Sequence, residues 1–210
     1  TEKIRNLALV GHSASGKTSV CEALLYKTGN LKRLGKVEDG NTVTDFDKEE
    51  ISRGVSISTA IAPVEWRDFK INLIDTPGYF DFSGEVYSSL RASEAALVVL
   101  DAQNGIEVGA EKVLKYTENI ELPRIIFVNK MDKENVNFAK VVSDLHIAFG
   151  KKVIPFTLAL GEGENFKGII DVLNKTAYEY DGFERKEVEI PEIRIEEVNH
   201  VYDTIVEVVA

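Results

Sequence analysis

The chain has 210 residues, 44% of them hydrophobic, which is enough for one sizeable core and a smaller appendage. Its net charge of −10 argues against a surface that coats nucleic acid, and no sequence-specific nucleic acid partner is expected. A single cysteine, Cys21, excludes an intramolecular disulfide and fits a reducing cytoplasm; no apolar run reaches bilayer-spanning length, so no membrane association is expected.

Short β-branched runs alternate with amphipathic stretches. Residues 3–10, "KIRNLALV", read as a buried strand ending at Gly11, and 17–28 as a helix stopped by Gly29. Residues 30–58 are polar and aperiodic, as in a long mobile loop. "AIAPVEWR" and "FKINLID" are two strands joined so tightly around Asp68 that they must pair antiparallel. Helices 83–93, 106–118 and 135–149 then precede strands 95–100, 124–128 and 153–158. This order predicts an α/β fold with a mostly parallel sheet, one antiparallel edge strand and helices on both faces. After Leu160 glycines break the segment, and residues 181–210 hold nine acidic side chains against three basic ones. A last helix carries Val198, Val201, Ile205 and Val208 as an apolar stripe. Residues 1–158 are therefore expected to form the core domain, and 159–210 part of a smaller α/β subdomain.

Three motifs carry chemistry. "GHSASGKT", 11–18, fits G-x-x-x-x-G-K-[ST] between a strand and a helix. Gly11, His12, Ser13, Ala14, Ser15 and Gly16 would curl backbone N–H groups around phosphates, with the helix start at Lys17, Thr18 and Ser19 adding positive potential. Lys17 would reach the β- and γ-phosphates, and the Thr18 hydroxyl would bind Mg²⁺. In "LIDTPG", 73–78, Asp75 would hold Mg²⁺ and the Gly78 N–H would sense the γ-phosphate. In "NKMD", 129–132, the Asp132 carboxylate would accept two bonds from guanine, while adenine would leave it unpaired. Asn129 would brace the loop, and the stem of Lys130 would cover the purine face. Each motif alone has a bland reading as an ordinary turn. Together, in order and at strand C-termini, they point to GTP and GDP with Mg²⁺, and the arrangement resembles a P-loop NTPase of the Ras-like G-domain type.

These residues resemble the translational GTPases, and within them the elongation factor G family. "GNTVTDFDKEEISRGVSISTA", 40–60, is similar to that family's first switch, and "TLALGEGENFKGIIDVLNKTAYEY", 157–180, to the start of its inserted subdomain. The resemblance implies Ser56 as a metal ligand in place of the switch threonine, a ribosome partner, a cytoplasmic location and a monomer. The family's fifth nucleotide-contacting loop is not found before Ala210, so the chain is expected to stop inside or just after the insert. Ser13 and Ala14 depart from the family's apolar residue and aspartate, and Tyr79 stands where the family has a water-orienting histidine. The resemblance therefore makes Lys17, Gly78 and Tyr79 the residues closest to catalysis. Without the histidine, hydrolysis is expected to be slower by roughly 10²–10⁴. The alternatives kept open are a non-hydrolysing GTP-dependent ribosome-binding switch and a P-loop ATPase with an accidental NKMD.

Overall fold

The computed structural model describes residues 2–210, which divide into two compact units. The first comprises the residues up to Asp101 together with Ile106–Asn129. It contains β1 (Ile4–Gly11), α1 (Lys17–Lys27), α2 (Lys48–Arg53), β2 (Ala60–Trp66), β3 (Phe69–Asp75), α3 (Ser83–Arg91), β4 (Ala95–Asp101), α4 (Val108–Asn119) and β5 (Arg124–Asn129). A 3-10 turn, Phe80–Phe82, leads into α3.

The five strands form one sheet in the order β2-β3-β1-β4-β5. β1 runs parallel to both β3 and β4, β4 runs parallel to β5, and only β2 is antiparallel, against β3. Leu9 pairs with Asp75, Gly11 with Val99, and Asp101 with Asn129, so the strand ends that carry the three motifs share one rim. From β1 the chain moves towards β3 through α1, and from β4 it moves the opposite way to β5 through α4. Right-handed crossovers then put α1 and α4 on opposite faces, and a crevice opens between the ends of β1 and β4. On the α1 face, Leu9, Cys21, Leu25, Ala62, Val64 and Leu73 form a buried cluster. Alternation sends the equally buried Ala8 and Val10 to the other face, where α3 and α4 contact β1.

The outer strand β2 carries Pro63, whose carbonyl accepts a bond from the Asn30 side chain at 2.8 Å. The stretch 30–58 is not wholly irregular. α2 forms within it because Asp47 and Glu50 make a reciprocal capping box, and Gly54 ends the helix at φ 64°.

The second unit comprises Ala102–Gly105 and Lys130–Ala210. It holds α5 (Phe138–Phe149), β6 (Thr157–Leu160), β7 (Gly168–Asp171), β8 (Thr176–Asp181), β9 (Glu184–Val188) and α6 (Glu192–Val209). Its four strands form an antiparallel sheet in chain order. The strand expected at 153–158 is thereby corrected: it starts at Thr157 and pairs antiparallel with β7 rather than joining the parallel sheet. The unit division after Asn129 does not coincide with the 158/159 boundary read from composition, because α5 and β6 both cluster with the later residues. Leu158, Ile170, Val172, Ala177 and Val198 form the core here, with Val201 and Ile205 against it. Val208 leaves the expected stripe and is 55% exposed.

Candidate nucleotide and metal site

β1 ends at Gly11, where an added Cβ would collide with the Val99 carbonyl. The loop closes at Gly16, φ 97°, where a Cβ would collide with the Asn129 side chain. That asparagine donates to the Ser15 carbonyl at 2.9 Å, which ties β5 to the loop. Gly16 caps α1 without any side-chain acceptor, so the first-turn N–H groups stay available to an anion. Ala14 sits at φ 58° and is exposed, as is Ser19, whereas Ser15 is buried.

Lys17 is buried, and its Nζ donates to the His12 carbonyl at 2.9 Å. Burial pulls its ammonium down to about 8, with Asp75 and Asp45 opposing that shift. The turn after β3 presses on this lysine. A Cβ at Gly78 would lie 2.5 Å from Lys17 Nζ and 2.8 Å from Ser13 N, so only glycine fits there. Thr76 holds the turn down by donating to the Leu9 carbonyl at 2.7 Å. Tyr79, next in the chain, is 47% exposed, and Phe80 lies under Lys112 with Nζ 3.5 Å from the ring centre.

Asp75 is the buried centre of a polar cluster. Its Oδ2 accepts from Thr18 Oγ1 at 2.9 Å and from Thr44 Oγ1 at 2.7 Å. Ser56 Oγ lies 3.2 Å from Thr18 Oγ1 and donates to Asp45 Oδ1 at 2.6 Å. Burial pushes the Asp75 carboxyl up to about 6 against those hydroxyl bonds, and burial raises Asp45 as well. Asp75 Oδ1 is buried with no hydrogen-bond partner. An orphaned carboxylate oxygen beside two hydroxyls is a hard oxygen donor set, which fits Mg²⁺ completed by ligand and water oxygens. Among the described residues no group of three His, Cys, Asp or Glu side chains forms a separate metal site.

The structure thus gathers Lys17, Thr18, Ser56, Asp75 and Gly78 within one unit. Asn129 joins them through Ser15, while Lys130, at φ 59°, and the exposed Asp132 continue the chain in the other unit. Sequence reasoning missed four acids and hydroxyls. Thr44 donates to Asp75, and Asp45 accepts from Ser56. Glu22, one turn into α1, is buried and accepts from Gly35 N at 3.1 Å and from Val43 N. Glu50 is also buried and accepts from Ile57 N at 2.9 Å and Ser58 N at 3.0 Å. The Asp47–Glu50 spacing was a readable capping signal; Glu22 gave none.

The profile of the family described as the elongation factor Tu GTP binding domain matches residues 2–209. The chain belongs to this family. Among relatives, it is 39% identical to elongation factor G of Mycoplasma genitalium over 212 residues, covering 100% of this chain and 31% of that protein. It is 39% identical to elongation factor G of Mycoplasma pneumoniae over 209 residues, covering 98% of this chain and 30% of that one. A crystal structure of a Thermus thermophilus protein superposes with a TM-score of 0.92 at 39% identity, over 99% of this chain and 31% of its own length. The chain thus spans about a third of the length of these similar proteins. No helix among the described residues is long and apolar enough to cross a membrane.

Proposed function

We propose that this chain binds GTP and GDP with Mg²⁺ and hydrolyses GTP, as the GTPase part of an elongation factor G-like protein that acts on the ribosome in the cytoplasm. The observation that carries the reading is the meeting of the switch hydroxyl of Ser56 with Thr18, which itself bonds Asp75, beside a glycine pressed onto Lys17. Gly11 to Ser19 would hold the phosphates through backbone N–H groups, and Lys17 would balance their charge. Thr18, Ser56 and Asp75 would hold Mg²⁺, which supplies charge neutralisation at the phosphates when bound. Gly78 N–H would report the γ-phosphate, and Asn129, Lys130 and Asp132 would select guanine. Residues 1–158 act as the nucleotide-binding core and 159–210 as part of the inserted subdomain, in a monomer that meets the ribosome through its full-length form.

Tyr79 slows turnover in this reading. A phenol is neutral at pH 7 and offers one hydroxyl, so it cannot become the cationic water-orienting partner that a histidine becomes. Titration with a fluorescent GDP analogue, competed by GTP and by ATP, tests the assignment. Displacement by GTP but not by ATP is expected; equal displacement by ATP, or no binding by the full-length protein, would overturn it.

A further inference from the structure

His12 has a second role that its place in the phosphate loop does not require. Its Nδ1 accepts from the Gly109 N–H at 3.3 Å, and its Nε2 lies 3.5 Å from Glu107 Oε1. Its main-chain carbonyl, meanwhile, holds Lys17 Nζ at 2.9 Å. We propose that the His12 imidazole is a positioning residue that latches the first turn of α4 to the phosphate loop and so sets the place of Lys17; this rests on the nucleotide-binding reading above.

The geometry is specific. Gly109 is the second residue of α4, and its N–H is one of the donors a helix start leaves unpaired. Glu107 stands at the cap position but its side chain does not cap the helix. His12 therefore caps α4 from another part of the chain. An accepting Nδ1 leaves the ring proton on Nε2, 3.5 Å from Glu107 Oε1, so both ring nitrogens lie against the same helix start. Gly109 is required for this approach. A Cβ there would lie 2.7 Å from His12 Nδ1 and 3.1 Å from His12 Cα. Helices ordinarily favour alanine over glycine, so a glycine in the first turn marks a contact and not a propensity.

The latch bridges the crevice between β1 and β4, whose following helices leave on opposite faces of the sheet. The backbone it fixes continues into Ser13, against which Gly78 is seated. A shift of the α4 start is thus passed to Lys17 through the His12 carbonyl and to the Gly78 turn through Ser13.

The test uses the full-length protein with H12A, H12N, G109A and the H12A/G109A double variant. Fluorescent GDP affinity, single-turnover GTP hydrolysis and thermal midpoint are measured for each. H12A and G109A are each expected to weaken nucleotide binding by tenfold or more. H12N, whose amide oxygen falls close to the position of Nδ1, restores binding to within threefold of the parent. G109A added to H12A costs clearly less than G109A alone, because the ring nitrogen at 2.7 Å is gone and only the 3.1 Å approach to the Cα of residue 12 remains. Effects of H12A and G109A that multiply, or an H12N no better than H12A, would overturn the latch. If the parent itself binds no nucleotide, the functional reading fails and the latch is judged separately by melting. G109A should then lower the midpoint clearly less in the H12A background than when His12 is present; an equal loss in both would refute it.

Discussion

The hydroxyls of Thr18 and Ser56 lie 3.2 Å apart although one belongs to the phosphate loop and the other to the distant 40–58 stretch. Both touch a carboxylate, Asp75 for the first and Asp45 for the second. Removing either hydroxyl should therefore weaken the response to Mg²⁺ more than it alters folding. Thr18→Ala and Ser56→Ala are expected to reduce Mg²⁺-dependent GTP affinity by at least tenfold, with Ser56→Thr close to the parent. Titrating Mg²⁺ at fixed GTP reads this out; an unchanged midpoint in both alanine variants would count against the shared site.

Asp75 gives a pH dependence with a definite sign. Its carboxyl is raised to about 6 by burial, so in the ligand-free protein the charged form costs stability. The cost is fully present above about 6 and fades as pH falls towards the ordinary carboxylate range near 4. Two pH units correspond to about 3 kcal/mol. Asp75→Asn is expected to raise the ligand-free melting temperature at pH 7.5 and to lose that advantage near pH 4. Thermal melts from pH 4 to 8 without nucleotide check it, and a lowered midpoint at pH 7.5 would contradict the argument.

The carboxylate of Glu22 holds the arch that precedes α2, through Gly35 N and Val43 N. Hydrogen bonds to a buried charge are worth about 1.5–3 kcal/mol each. Glu22→Leu should loosen residues 30–43 ahead of the sheet. Limited proteolysis is expected to cut that segment at least tenfold faster than in the parent, while amide exchange in β1 and β3 stays slow.

Tyr79 sets the expected rate. Tyr79→His is predicted to raise single-turnover GTP hydrolysis on ribosomes by roughly 10²–10⁴ with little change in GTP affinity. A variant that matches the parent with and without ribosomes would refute the slow-turnover reading.

Ala14 occupies the left-handed region at φ 58°, which costs a residue with a Cβ about 1–2 kcal/mol. Ala14→Gly is expected to recover about 1 kcal/mol of that strain, less the entropy glycine loses on folding. Denaturant unfolding of the ligand-free chain measures it.

Local signals carried much of the architecture. β1, β3 and β5 end within a residue of where Gly11, Asp75 and Asn129 punctuate apolar runs, because each motif must stand at a strand's end. β6 was misplaced because "TLAL" is four apolar-rich residues with no feature that names its partner; pairing with β7 is a long-range fact. α2 escaped because six residues show no hydrophobic period, although its cap spacing was present. At the site, Lys17, Thr18, Asp75 and Gly78 were legible as motif residues. Glu22 was not, since it looks like any acid on a helix until a loop folds over it. The partner of His12 was hidden for the same reason, lying ninety-seven positions away in the chain.

Pro63 and Asn30 have a consequence for life in a crowded cell. β2 is one outer margin of the large sheet, the kind of surface on which a stray chain can add itself as another strand. Proline offers no N–H there, and its carbonyl is already taken by Asn30. A recruited strand would find a missing donor and an occupied acceptor side by side, so this margin resists runaway self-association without a covering helix.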